Sequence, residues 1–268
     1  MNLKQLINKS VYGTIGYISS QNDLNQLEQY ILYNLPVLKE YKQIIVATNY
    51  KIYPELVQEN TQLWKKYFPN CILLDSKLNI GPGLGTAELD NLIFDYCKEN
   101  SIEWLCKSAN DVIIQSDIFN KIIEEADFYY LCGFGCAGFN SYNIETAIEA
   151  IYDTEEFFYP QTNFYFINVS KCDYLNDKKH INEIFNKIYT SPIPNARVWD
   201  YGFRSCEDLL KDCVYRNNLF KYHLIPKEKY FVLLKVVKDW QMHDPSHKNV
   251  LIENICHYHF YDVPIITI

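Results

Sequence analysis

Trp104-Leu105-Cys106-Lys107-Ser108-Ala109-Asn110-Asp111-Val112-Ile113-Ile114 opens apolar, turns polar from Lys107 to Asp111, and becomes apolar again. The opening run has the length and character of a buried strand. An acid that ends such a strand falls at the C-terminal edge of its sheet, where open α/β sheets bind their ligands. Asp111 is therefore a candidate binding residue, with Lys107 and Asn110 beside it. Asn110-Asp111 also has the composition of a plain turn, because both side chains hydrogen-bond their own backbone. Its surroundings in the chain decide between the two readings.

Upstream, Tyr12 to Ser20 mixes β-branched and aromatic residues with glycine, which predicts a first strand. Asn22 or Asp23 can cap the next element. Leu24, Leu27, Ile31, Leu32, Leu35 and Leu38 then recur at three- and four-residue steps, one face of a helix. Gln43 to Asn49 predicts a second strand ending in polar Thr48-Asn49. Pro54 suits the first turn of a helix running to about Tyr67. Cys71 to Asp75 predicts a third strand with an acid at its end.

Asn79-Ile-Gly-Pro-Gly-Leu-Gly-Thr-Ala87 follows as a glycine-rich loop opening a helix through Leu89, Leu92, Ile93 and Tyr96. Gly81 and Gly83 let backbone approach a ligand closely, and a helix N-terminus offers free N–H groups to an anion. The loop has neither a Walker lysine nor GxGxxG spacing. A loop that only connects two elements has the same composition. Downstream of the opening stretch, Asp117 predicts a cap for a helix over Ile118 to Ile123, and Phe128 to Gly133 a fifth strand. Thr162 to Val169 alternates as a strand does, and His180 to Ile188 has helical spacing. Strands alternating with helices at this pace predict βαβ units and a mostly parallel sheet.

With 268 residues, 48% of them hydrophobic, the chain has material for one large α/β domain. A net charge of −8 argues against nucleic acid as the main partner, since phosphate binding needs clustered Lys and Arg. Nine cysteines without a CxxC repeat predict reduced thiols in a cytoplasmic protein. Met1 to Ser10 lacks the apolar core of a signal peptide, and no apolar run reaches the length of a membrane span. The expectation is a soluble chain.

Ser205-Cys206-Glu207-Asp208 precedes the helical apolar positions Leu209, Leu210, Cys213 and Val214. A hydroxyl three residues before an acid is close to a capping box, and carboxylates in a first helical turn are favoured by the macrodipole. The same field keeps an Asp ionised, as a general base must be. Local sequence favours the cap. His257 and His259 stand two apart, so an extended segment presents both on one side. Imidazole and carboxylate together suit Mn²⁺ and similar cations, whereas a carboxylate with phosphates also suits Mg²⁺.

Taken in order, these pieces resemble the nucleotide-sugar glycosyltransferases of the GT-A fold, family-2-like members above all. The first strand and helix look like the family's nucleoside-binding opening, which brings in Ser19, with Thr48-Asn49 where members often carry acids. Asn79-Ile-Gly81 to Ala87 resembles the family's N-x-G-x-x-x-A-x-N segment, whose last position falls on Asp90 or Asn91. Lys107 to Val112 resembles the DxD segment, with Asp111 at its last acid and Ala109 at its first. Tyr201 to Asp208 resembles the region that supplies the catalytic base, which puts Asp208 on the base and Glu207 on its partner.

The resemblance implies a Rossmann-like three-layer α/β sandwich forming one domain over residues 1–268. About 11–134 would bind the nucleotide sugar and about 135–268 the acceptor. It implies sugar transfer from a nucleoside-diphosphate sugar to the hydroxyl of a saccharide or another acceptor. Donor contacts would come from Ser19, Thr48, Asn49, Asp75, Asn79, Gly81, Gly83, Lys107, Asn110 and Asp111. A divalent cation, Mn²⁺ or Mg²⁺, would sit on Asp111 with His257 or His259. Two other readings stay open: a sugar nucleotidyltransferase, whose glycine loop should carry a basic residue, and a binding module that has lost catalysis, to which Ala109 points.

Overall fold

The computed structural model describes residues 2–16, 18, 20–48, 54–76, 83–110, 112–114, 120, 122–132, 158, 160–194, 196, 198–224 and 231–233. Strands β1 (Ser10–Gly16), β2 (Ile44–Thr48), β3 (Ile72–Asp75) and β4 (Trp104–Ala109) form parallel pairs in the order β3-β2-β1-β4. A short strand β5 (Val112–Ile114) follows β4. The sheet continues through β7 (Pro160–Asn168), β6 (Phe128–Cys132) and β8 (Lys221–His223) to seven strands. β7 is antiparallel to both neighbours and β8 is parallel to β6, so only β7 runs against the common direction. β5 pairs separately with β9 (Phe231–Leu233).

The helices are α1 (Leu3–Lys9), α2 (Gln21–Leu38), α3 (Pro54–Tyr67), α4 (Leu84–Glu99), α5 (Lys178–Tyr189) and α6 (Cys206–Arg216). The central strands are buried at nearly every position because both faces are covered. Ile44 and Val46 enter one core with Leu27, Ile31 and Trp64 of α2 and α3. Ile45 and Ala47 enter the other with Ile93 and Phe94 of α4 and Leu210 and Val214 of α6. Period-two side chains of one strand thus feed two helical layers, as parallel sheets require. The result is a three-layer, Rossmann-like α/β sandwich with a mostly parallel central sheet, as expected.

Gly13 shows how closely α4 lies on β1. A Cβ there would come 2.7 Å from the Ile93 side chain and 2.8 Å from that of Leu105. Only a residue without a side chain admits that approach. The opposite face holds a polar interior. The Tyr12 and Tyr30 hydroxyls bond each other, and the Tyr41 hydroxyl donates to Cys106 Sγ at 3.1 Å. Burial raises the pKa of both Tyr12 and Tyr41, so the network is neutral. Among the described residues, Cys71, Cys97, Cys106, Cys172, Cys206 and Cys213 are buried free thiols.

Two local expectations are corrected. The first strand ends at Gly16 rather than Ser20, because Ser20 is taken as the cap of α2: its Oγ accepts from Asp23 N at 3.2 Å. Asn22 and Asp23 therefore lie inside the helix. The helix placed over Ile118 to Ile123 does not extend to its end. Ile122 forms an antiparallel bridge with Asn2 and Ile123 is not helical. The fifth strand is present as β6 over Phe128–Cys132, with antiparallel β7 between it and β4. Among the described residues, no helix is long and apolar enough to cross a membrane.

Candidate functional site

The C-terminal edge of the parallel strands brings one set of candidates into a row. Thr48 is register partner to Gly16 on one side and Asp75 on the other, and Ile15 is partner to Ala109. Asn110 follows β4 directly and packs on Gly16, where a Cβ would lie 3.2 Å from its Nδ2. A shallow cleft beside it is lined by Thr14, Gly16, Ile18, Asn60, Trp64 and Asn110, among others. Thr48 is buried and Asp75 exposed. Beyond β3, Ser76 N donates to Thr48 O at 2.9 Å, and the Ser76 hydroxyl bonds Glu88 of α4. Burial, and then the Asp75 charge, raise the Glu88 pKa against the lowering effect of Ser76.

The chain on either side of Asp111 is pinned. β4 ends on its pairing with β1, and the Ile114 N–H donates to Asn34 Oδ1 of α2 at 2.7 Å. Asn34 is itself buried and donates to Tyr30 O at 3.0 Å.

A second set gathers where α4 meets α6. Gly83 precedes α4 with φ +80° and ψ −76°, a conformation glycine tolerates and other residues do not. Its carbonyl accepts from Ala87 N at 3.0 Å and from the Cys206 thiol at 3.0 Å. Cys206 immediately precedes Glu207 and Asp208. The expected cap is present: Ser205 Oγ accepts from Asp208 N at 3.1 Å and donates to Asp208 Oδ2 at 3.1 Å. Glu207 Oε1 accepts from the Thr162 hydroxyl of β7 at 2.8 Å. Arg204, just before the helix, pairs with Asp212 within it.

Lys107 belongs to neither surface. Its side chain is 2% exposed and that of Asp90 3%, with Nζ and Asp90 Oδ1 3.4 Å apart. Nζ also donates to Thr162 O at 2.5 Å. Asp90 Oδ1 has no well-aligned hydrogen bond among the described residues, so this pairing is Coulombic. Burial outweighs the Lys107 charge and, with a smaller contribution from Glu207, pushes the Asp90 pKa up to about 6. Asn91 does different work. It donates to Asn176 O at 3.1 Å and accepts from Asn176 N at 2.9 Å, clamping α4 to the segment before α5.

The structure thus brings Thr48, Asp75 and Asn110 together at the sheet edge, and Gly83, Glu207 and Asp208 together at the α4–α6 junction. Ser19, Asn49, Asn79, Gly81, Asp111, His257 and His259 lie outside the described residues. Among the described residues, no three His, Cys, Asp or Glu side chains converge as a metal site would need. Sequence reading missed Thr162 and did not pair Asp90 with anything. The signal for that pair was the lysine itself, a charge two residues from Leu105 and hence on the same covered face.

No protein-family profile matches the chain, and no curated protein matches it by sequence. Similarity to solved structures is confined to fold. A nucleoside-diphosphate-sugar pyrophosphorylase from Vibrio cholerae superposes with a TM-score of 0.46 at 9% identity, covering 86% of this chain and 97% of that one. The galactosyltransferase LgtC, solved with donor and acceptor sugar analogues, gives 0.45 at 9% identity over 92% and 82%. A glycosyltransferase involved in glycosylation of the major capsid of PBCV-1 gives 0.35 at 11% identity over 81% and 82%. At these scores the choice of reaction rests on the residues of the chain itself.

Proposed function

We propose that this chain is an inverting glycosyltransferase that moves a sugar from a nucleoside-diphosphate sugar to an acceptor hydroxyl. The observation that carries the reading is the junction of Gly83 with Cys206-Glu207-Asp208, which sets two carboxylates at a helix start beside the end of the glycine loop. Asp208 is the general base. Ser205 occupies its Oδ2, leaving Oδ1 to take the acceptor proton as the acceptor oxygen attacks. Asp208 lies in the first turn of α6, with Ser205 as the cap. Glu207, held by Thr162, is its partner.

Donor contacts fall to the sheet edge: Thr48, Asp75 and Asn110, with Ser19, Asn49, Asn79, Gly81 and Gly83 completing the nucleoside and diphosphate cradle. A divalent cation, Mn²⁺ or Mg²⁺, held by Asp111 with His257 or His259, would stabilise the charge that accumulates on the departing diphosphate. The acceptor is a saccharide or another hydroxyl compound.

The test is a panel of nucleoside-diphosphate sugars with and without Mn²⁺, read by thermal shift and by slow donor hydrolysis. Stabilisation by one donor together with its hydrolysis is expected. Binding without any turnover would favour a module that only holds nucleotide sugars.

A further inference from the structure

Lys107 sits where a binding lysine is of little use and a structural one is expensive. Burying an ion pair removes two charges from water, and the attraction regained is often no better than apolar packing of equal volume. The pair is also not isolated. From Lys107 Nζ the contacts run to Thr162 O at 2.5 Å, and from the Thr162 hydroxyl to Glu207 Oε1 at 2.8 Å. One threonine therefore receives the ammonium on its carbonyl and holds the acid on its side chain, a few bonds apart. Thr162 is itself buried, which leaves it little freedom to satisfy one contact without the other.

We infer that Lys107 and Thr162 are positioning residues for the acid pair. Lys107 fixes the backbone of β7 at Thr162, Thr162 fixes Glu207, and Glu207 fixes the first turn of α6 from which Asp208 extends. This rests on the reading of Asp208 as the base. Asp90 is the counter-charge that keeps the buried ammonium tolerable. Among the described residues, the ionisable groups around Asp90 are Lys107 from β4, Tyr165 from β7, and Cys206 and Glu207 from α6. A change at Glu207 is accordingly felt at Asp90, which gives the arrangement a readout that does not depend on turnover.

The experiment uses the full chain and the variants Thr162→Val, Thr162→Ser, Lys107→Met, Glu207→Gln and Asp208→Asn. Thr162→Val should lower kcat for donor hydrolysis about ten- to hundredfold, the scale of a lost hydrogen bond to a charged group. Its donor KM should stay within about twofold, since the contact lies on the acid side of the site. Thr162→Ser, which keeps the hydroxyl, should recover most of the rate, and Lys107→Met should follow Thr162→Val. Equal loss in Thr162→Val and Thr162→Ser, or no loss in Thr162→Val, would overturn the inference.

Carboxyl ¹³C NMR supplies the second arm: the Asp90 midpoint, about 6 in the native chain, should fall in Glu207→Gln. Thr162→Val, which releases Glu207, should move the midpoint as well, whereas Thr162→Ser should not; equal midpoints in the native chain and Thr162→Val overturn the positioning even if no donor is turned over. Unchanged turnover in Asp208→Asn would instead sink the base assignment while leaving the Asp90 result standing.

Discussion

Cys206 donates its thiol hydrogen to the carbonyl of Gly83 across 3.0 Å, joining positions 123 residues apart in the chain. The contact locks the end of the glycine loop to the residue that precedes the acid pair. It works only while Gly83 keeps its positive φ.

Gly83→Ala should therefore cost stability through backbone strain, of order 1–3 kcal/mol. A methyl group at Gly83 would meet the Phe203 ring at 3.4 Å and the Val198 side chain at 3.7 Å, both ordinary contacts, so crowding is not the cause. Urea unfolding measures the loss, and donor KM should rise with it. A variant as stable as the native chain would mean that α4 starts differently.

Gly13→Ala and Gly85→Ala should move stability in opposite directions. At Gly13 the new methyl collides with Ile93 and Leu105, and overpacking of this kind costs about 1–3 kcal/mol. At Gly85, the second residue of α4, a Cβ meets nothing within 4 Å among the described residues, and replacing a glycine in a helix by alanine gains up to about 0.5–1 kcal/mol. Paired urea curves test both signs at once.

Asn34→Ala should leave the Ile114 N–H without its acceptor. A buried donor left unpaired costs about 1–3 kcal/mol, and the loss falls on the segment that follows Asp111. Hydrogen exchange at Ile114 should accelerate well beyond the change in global stability if that segment depends on Asn34.

Stability should contain a component that declines as pH rises through the range from 4 to 6. Asp90 has an ordinary carboxylate value of 3.8 when unfolded and about 6 when folded. In that window the native state holds the extra proton, so raising the pH favours unfolding. At roughly 1.4 kcal/mol per pH unit, ionised Asp90 costs about 3 kcal/mol at neutral pH. Asp90→Asn should lose this pH dependence, measured as the urea midpoint at each pH. An identical profile in the variant would show that another group titrates there.

Much of the architecture was legible in the chain because it is written locally. The span Pro54–Tyr67 follows from a proline and a helical stripe, and the helix through Leu89, Ile93 and Tyr96 from its glycine loop. The Ser205 cap was legible from three residues. The position of β7 was not, because strand order is settled by pairings distant in sequence, such as Ser108 with Phe164. For the same reason the Asp90–Lys107–Thr162–Glu207 contacts could not be read: each residue has a bland local role, and only the packing of α4, β7 and α6 on β4 joins them. Ser20 was misread because a serine suits a strand end and a helix cap equally well, and the free N–H groups of α2 decide for the cap.

Initial rates of donor hydrolysis by Asp208→Asn, alongside donor affinity from thermal shift, test the central claim most directly. Asparagine preserves shape and removes the base. The account predicts a fall in turnover of about 10²–10⁴-fold, the usual contribution of a general base, with donor affinity unchanged. Turnover equal to that of the native chain would contradict it.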